Sequence, residues 1–544
     1  MATPLPVIPP SWRTERRTAV NLRFPLLFAA AVSLLTLLPY LIAYATTPPG
    51  HHFAGFFFIA DDATTYLAKM RQGAEGAWTW NDPYTAESHG GVFLFGFYLF
   101  FGHLSALLHL PLIATYHLAG ISGAFALVLS VERLVHRLLD PPLRRLALVL
   151  VVLGSGLGFI AQMLGDPSLL GHPVEALDLH LPELTGFYSI LAIPHFAWAT
   201  ALIVLSFLGL LRLVDSPGWR PVISTGVLMT LLTAIHPQMI PVIFLIWLVY
   251  QAVLFSWGER ASLRSISAQL AAFALPVPLL AYNAWILYRD PTIAEWARQW
   301  RHQAPGPLSL ALSLGLPLLA AIVGIVIVWR RRDRGLALLM VWPPLVFVLL
   351  YAPNIANIQR RLLDALYVPI GMLAAVGLRA LLTRMPAVTA RRLERLLLPA
   401  FCFSSAIVLA IALRFATGAF PEAYIRADTW EAMQWLSSHH DPADRVLSSP
   451  QTGLLLPAWS GTPVYVGHYS ETLDYFGKIG DVSRILAPGV TDSERRSFLA
   501  GNRLTLLYWG PDESRASSFD PSVRPYLRRI YQRGGVSIYR VAAN

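Results

Sequence analysis

The chain has 544 residues, of which 55% are hydrophobic and only 14% charged. A soluble protein usually carries about 25% charged residues, so the composition excludes an ordinary soluble enzyme and fits a polytopic α-helical membrane protein whose spans are runs of roughly 20 apolar residues. The net charge of +10 comes from arginine, with Lys69 and Lys478 the only lysines; in such a chain a basic excess marks inward-facing loops and lipid headgroups, and no basic patch interleaved with aromatics points to nucleic acid.

Arg13, Arg16, Arg17 and Arg23 precede the first apolar run, 24–45. Ala43-Tyr44-Ala45 has the small-x-small pattern of a signal-peptide cleavage site, but the run is longer than the usual apolar region of roughly 7–15 residues, so an uncleaved first helix is expected. Outer loop 46–90 follows, with the acidic pair Asp61-Asp62 opening a short amphipathic stretch. Further apolar segments fall near 91–109, 112–131, 146–164, 190–211, 221–235, 239–256, 266–288, 308–328, 336–351, 362–382 and 396–415. They predict about 11–13 spanning helices. The lone Cys402 lies in the last of these runs and excludes an intrachain disulfide and a cysteine zinc cluster.

After about 419 Asp, Glu, Ser, Gly and Pro return at ordinary density, which divides the chain into a membrane domain, 1–418, and a soluble α/β domain, 419–544. In the latter, Trp430, Met433 and Leu436 predict a helix over 427–439 by their spacing. Helices are also expected at 471–486 and 492–502. Strands are expected at 445–449, 464–466 and 504–509, and a hairpin over 528–541 around Gly534-Gly535.

Arginines sort the loops. Arg212 and Arg220, Arg260 and Arg264, Arg330 to Arg334, and Arg384 to Arg395 occupy alternate short loops, which the positive-inside rule makes cytoplasmic. Loops 165–189, 289–307 and 352–361, the His236-Pro237-Gln238 turn and the C-terminal domain then face out, in the cytoplasmic membrane with the N-terminus inside. The twelve apolar segments conflict with the odd number of crossings this needs. The conflict lies in 91–145, where Arg133, Arg137, Arg144 and Arg145 would otherwise fall outside.

Asp61 and Asp62 point about 100° apart on a helix, so they cannot share one face. Asp61 reads either as an N-cap or, like Asp62, as a general base acting on a substrate at the membrane surface. Tyr66, Leu67 and Met70 give that helix an apolar stripe. Lys69 and Arg71 either keep the pair ionised or face headgroups, the second being favoured. His51, His52, His89 and Glu87 lie in the same loop and with the acidic pair could hold a divalent ion, though their spacing demands none. His236 before Pro237 and His195 after Pro194 sit at helix ends, with structural and functional readings both open. His468 and Glu471 are three apart in the tail, either in a capping arrangement or contacting an acceptor. Loop 289–307 sets Arg289, Arg298, Arg301 and His302 among Trp296 and Trp300, as an anchored surface helix or as a pyrophosphate clamp. Arg360 and Arg361, after Asn354 and Asn357, read as an interfacial pair or as a phosphate site, since nothing else on that turn pairs with them.

The layout, with the acidic pair after the first helix, the stretch WTWNDPYTAESH (Trp78–His89) leading into Gly90-Gly91, Arg360-Arg361-Leu362 before an apolar helix with Pro369, and the tail motif Gly467-His468-Tyr469-Ser470-Glu471-Thr472, resembles the GT-C superfamily of membrane glycosyltransferases. The likeness to its mannosyltransferase and aminoarabinose-transferase members lies in layout; His89-Gly90-Gly91 stands where a His-Pro-Pro is found in the former, and the WWDYG-type signature of oligosaccharyltransferases is missing. The resemblance implies a polyprenyl-phosphate sugar donor, an extracytoplasmic acceptor (glycan, lipid or protein) and inversion at the anomeric carbon. It also implies Asp61 or Asp62 as base and arginines on the leaving phosphate, whose planar fork binds two oxygens at once. The rival readings are a flippase for a lipid-linked glycan, in which the acidic pair binds a coupling ion, a lipid-modifying transferase on the same scaffold, and a non-catalytic envelope-assembly or sensing protein.

Overall fold

A computed structural model describes residues 22–165, 167–169, 171–299, 301–353 and 358–542. Arg13, Arg16, Arg17, Trp300, Asn354 and Asn357 lie outside the described residues. Among the described residues seven helices are long and apolar enough to cross a membrane, or eight if the bent pair Ala387–Phe401 and Phe403–Gly418 is one span. The chain is an integral membrane protein of helical class with a small mixed sheet. The helices that pass are fewer than the segments expected because several apolar runs are cut short. The helices Gly96–Leu108, Ala337–Leu350 and Tyr367–Leu382 have 13, 14 and 16 residues. At about 1.5 Å per residue the first is roughly 20 Å long, against roughly 30 Å of hydrocarbon. It lies in the segment where the loop charges already asked for one crossing fewer.

The chain folds as two compact units. The first comprises residues 1–37, 120–280 and 302–411. At its centre Tyr367–Leu382 packs against both Pro307–Arg331 and Pro141–Leu153. Gly324 sits on the Leu373 backbone and Gly371 on that of Val151, and a Cβ at either position would overlap main chain. Small residues that let helix backbones approach are the usual means of association between membrane helices. Two 3₁₀ turns, Pro182–Leu184 and Gln359–Leu363, and the helix start at Pro194 carry Glu183, Arg360, Arg361 and His195.

The second unit comprises residues 38–119, 281–301 and 412–544, so the 46–90 loop folds with the C-terminal region. Helix α1 (Arg23–Ala45) leads to strand β1 (His51–Phe53), which pairs antiparallel with β2 (Tyr424–Arg426). Helix α2 (Ala60–Ala74) packs on α3 (Gly96–Leu108) through Gly73 and Gly102, where a Cβ would overlap the carbonyls of Leu99 and Met70. Tyr66 and Tyr98 stack between the two at 4.2 Å.

A four-stranded sheet follows, made of β3 (Val446–Leu447), β4 (Leu506–Trp509), β5 (Leu527–Arg533) and β6 (Val536–Val541), in the order β3-β4-β6-β5. The β3–β4 pair is parallel and the others antiparallel. The helix at 427–439 and the final hairpin form as the sequence predicts. Two expectations differ, and one helix lies where the sequence predicts no element. Residues 464–466 make only a single bridge, Val464 to Val446. Pro450–Trp459 is a helix, begun by the Ser449 hydroxyl accepting from Thr452 N–H. The helix expected from 471 begins at Tyr475, because Gly467 to Asp474 are held in a loop by contacts made far away in sequence.

Candidate functional site

Chain direction at α2 is set by Ile59, a β-branched residue at φ 50° and ψ 44°. Such a conformation costs on the order of 1–3 kcal/mol and persists where the surroundings over-determine it. It turns the chain so that the helix begins at Ala60 and both aspartates fall in its first turn. Neither caps it: no side chain caps this N-terminus, which corrects the N-cap reading of Asp61.

The two aspartates have different environments. Asp62 Oδ1 lies 3.1 Å from His468 Nε2. The other ring nitrogen, Nδ1, lies 3.1 Å from the Ser470 hydroxyl. Asp61 is exposed by its surface area, yet enough protein surrounds it to desolvate its carboxyl. That burial raises its carboxyl above the ordinary value; the charge of His468 opposes the shift and Asp62 adds to it.

Behind the pair lies a buried ionic cluster. Lys69 is 1% exposed, and its Nζ is 2.9 Å from Glu471 Oε1 and 3.3 Å from Thr65 Oγ1. The ammonium also sits over the rings of Phe95, Trp80 and Tyr66 at 4.2, 5.3 and 5.5 Å. The expectation that Lys69 and Arg71 face headgroups is therefore corrected. Arg71 points inward too, donating to the carbonyls of Ala458 and Trp459. The second lysine, Lys478, binds Glu87 at 2.7 Å. Burial would raise the Glu87 carboxyl, but hydrogen bonds from Lys478 and Thr85 outweigh it and hold the group below its ordinary value. Asp82 is buried with its Oδ1 accepting the Tyr84 N–H. Burial, then the charge of Glu471, push its carboxyl well above the ordinary range, despite Lys69 and Lys478.

His89 is spent on its own loop: Nε2 accepts from the Asp82 N–H at 2.8 Å, and Nδ1 faces the Glu87 carbonyl at 3.0 Å. His51 and His52 lie on β1, with His52 stacked on Trp430. Among the described residues no three His, Cys, Asp or Glu side chains gather at metal-binding distance. In the 289–307 loop the helix Pro291–Gln299 turns Ile293 and Trp296 into a core with Trp80 and Leu473, so Trp296 is no membrane anchor. Gln299 donates to the carbonyls of Ser470 and Thr472. Arg298 pairs with Glu295 at 2.6 Å in solvent, and Arg301 is exposed.

The other unit has its own polar cluster. His236 Nδ1 lies 2.6 Å from Asp364 Oδ2, both buried, and the His195 ring is edge-on to His236 at 5.1 Å. Arg361 is buried with its guanidinium 5.2 Å from the Phe196 ring centre. Arg360 pairs with the buried Glu183 at 3.0 Å, and its N–H donates to the carbonyl of buried His302. The expectation that nothing pairs with Arg360 and Arg361 is thus corrected: Arg360 meets Glu183 and Arg361 meets the Phe196 ring. Sequence reasoning missed Glu183, Asp364 and Asp82. For Asp364 the signal was available, since a carboxylate inside an apolar run is functional or paired by default.

No family sequence model and no curated protein matches the chain. Solved structures do. ArnT from Cupriavidus metallidurans bound to undecaprenyl phosphate is 12% identical with a TM-score of 0.54, covering 96% of this chain and 98% of that one. The oligosaccharyltransferase AglB from Archaeoglobus fulgidus, in complex with an inhibitory peptide and a dolichol-phosphate, is 12% identical at 0.52 over 95% and 74%. The arabinofuranosyltransferase AftD from Mycobacteria is 17% identical at 0.53, over 97% of this chain and only 40% of its own length. Along nearly its whole length, then, the chain has the fold of the GT-C membrane glycosyltransferases.

Proposed function

We propose that the protein transfers a sugar from a polyprenyl-phosphate donor to an acceptor outside the cytoplasm, with Asp61 as general base. The observation that carries this reading is the division of labour in the acidic pair. Asp62 is engaged by His468, while Asp61 keeps an accessible carboxyl of raised basicity. A base works best when its pKa approaches the working pH, and positioned proton transfer contributes roughly 10²–10⁴-fold. The fold supports the reaction class, and two proteins of that fold were solved with polyprenyl phosphates bound. In this reading Asp61 takes the proton of the acceptor hydroxyl as its oxygen attacks the anomeric carbon and the lipid phosphate leaves, a single displacement with inversion. Arg360 and Arg361 are assigned to the leaving phosphate, whose charge needs donors that do not reorganise. The acidic pair and residues 412–544 belong to one compact unit, which supports their lying together on the outer side of the cytoplasmic membrane.

The test uses the full chain in nanodiscs with a panel of polyprenyl-phosphate sugars. Asp61→Asn is expected to fold normally and lose transfer by about 10²-fold or more, and Asp62→Asn to lose less. Full activity in both single variants and in the double variant removes the base assignment. Substrate translocation without transfer would favour the flippase.

A further inference from the structure

Of the 42 lysine and arginine residues only two are lysines, and both are buried in the second unit. Each meets a glutamate from a distant part of the chain: Lys69 meets Glu471, and Lys478 meets Glu87. Arginine serves everywhere else. Lysine brings a compact point charge where arginine brings a broad planar fork, and the space around Lys69 is walled by Phe95, Trp80 and Tyr66. Phe95 presents its ring from a left-handed backbone, φ 56°. A guanidinium would have to displace these rings.

Three carboxyls (Asp82, Glu87 and Glu471) lie among two ammonium groups and the Arg445 guanidinium, which acts on Glu87. Asp82 is the acid that burial and neighbouring charge push toward its neutral form. Glu471 Oε2 is buried and accepts no hydrogen bond among the described residues.

The geometry of α2 links this cluster to the acidic pair. Asp62 and Lys69 are seven residues apart, two helical turns, and so share one face. His468 and Glu471 come from one loop and meet that face at both points, 3.1 and 2.9 Å away. Asp61 is turned about 100° from the bracketed face. We propose that Lys69 and Glu471 are positioning residues, which lock loop 467–472 in the register that puts His468 on Asp62 and leaves Asp61 open to the acceptor. This rests on the reading of Asp61 as base.

The groups that act on Asp61 from the surrounding elements are His468, Asp62, Tyr84 and Tyr475. Of these only His468 lowers its carboxyl, so drawing His468 away while Asp61 keeps its burial raises it and moves the acid limb of the pH–rate profile to higher pH. The experiment compares Glu471→Gln, Lys69→Met and Lys69→Arg with the wild type in nanodiscs, with Asp61→Asn alongside. Expected are a kcat about 10–100-fold lower in all three variants, a donor KM within about twofold, an acid limb displaced upward, and amide exchange in 467–472 at least about tenfold faster. An unmoved acid limb in Glu471→Gln and Lys69→Met overturns the proposal, whether kcat is kept or thermal stability alone is lost. A Lys69→Arg variant with wild-type profile and kcat overturns it as well. If Lys69→Met fails to fold, Glu471→Gln carries the decision. If Asp61→Asn keeps full activity, it is the base reading that fails; amide exchange in 467–472 then decides the lock separately, an unchanged rate in Glu471→Gln overturning it.

Discussion

The two polar clusters of this protein solve different problems with similar residues. In the second unit the acidic pair has one member held and one open, above an interior where lysines neutralise glutamates. In the first unit the acids of the cluster are buried and each faces a basic side chain: Asp364 faces His236 and Glu183 faces Arg360. An open carboxyl of raised basicity is arranged to move a proton. Carboxylates that are buried and paired hold charge in place, as a structural frame or an anion site needs. The comparison separates residues whose loss should stop chemistry from residues whose loss should cost stability first.

The largest expected effect breaks the comparison most directly. Asp61→Asn should reduce kcat by about 10²–10⁴-fold with the melting temperature unchanged. Asp364→Asn should do the reverse. It leaves the buried His236 without the carboxylate 2.6 Å away, and an unsatisfied buried polar group costs about 1–3 kcal/mol. Thermal unfolding and turnover measured on both variants give a crossed pattern. Large stability loss in the first, or intact stability in the second, would erase the distinction.

A pH profile sharpens it. Asp61 acts as base only when deprotonated, so activity is present above its pKa and is lost as pH falls through it. Because that pKa is raised, the acid limb should lie above the ordinary aspartate value of about 3.9. His468→Gln removes the charge that opposes the shift and should move the limb higher still, with kcat several-fold lower. Movement toward lower pH would contradict the electrostatic account.

Next in size is Arg360→Ala. Its side chain is 32% exposed, whereas that of Glu183 is 1%. The loss is that of a buried acid's partner, about 2 kcal/mol of stability. A donor KM raised about tenfold on top of this would support phosphate contact, and an unchanged donor KM and kcat would remove Arg360 from the donor site.

Much of the layout was legible because it rests on composition and short-range pattern. The apolar runs, the helix at 427–439 and the terminal hairpin all depend on residues close in sequence. The acidic pair stood out as an adjacent dipeptide. Its partners did not, because His468, Glu471 and Lys478 reach Asp62, Lys69 and Glu87 across some 400 residues, and no local rule links them. The same long contacts explain why the expected helix from 471 starts late. A loop that donates and accepts at Thr472, Glu471 and His468 is held out of helical geometry by tertiary bonds worth more than its propensity. Span length was the other weak point, since hydropathy marks apolar runs but not where a helix such as Gly96–Leu108 begins and ends.

The smallest expected effect concerns the arginines that sequence alone made most attractive. Arg298 sits in a loop where the outward orientation disfavours basic residues, which suggested a phosphate clamp. Its side chain is 71% exposed and paired with Glu295 one turn earlier, itself half exposed. Solvent screens such a pair, and helical pairs of this kind are worth about 0.3–0.5 kcal/mol. The helix is fixed instead by Ile293 and Trp296 on its other face and by Gln299 on the 470–472 carbonyls. Arg298→Ala should therefore change stability by less than about 0.5 kcal/mol and leave the donor KM as it is. A tenfold rise in donor KM would return this loop to the donor site and make Arg298, rather than Arg360, the residue that reads the phosphate.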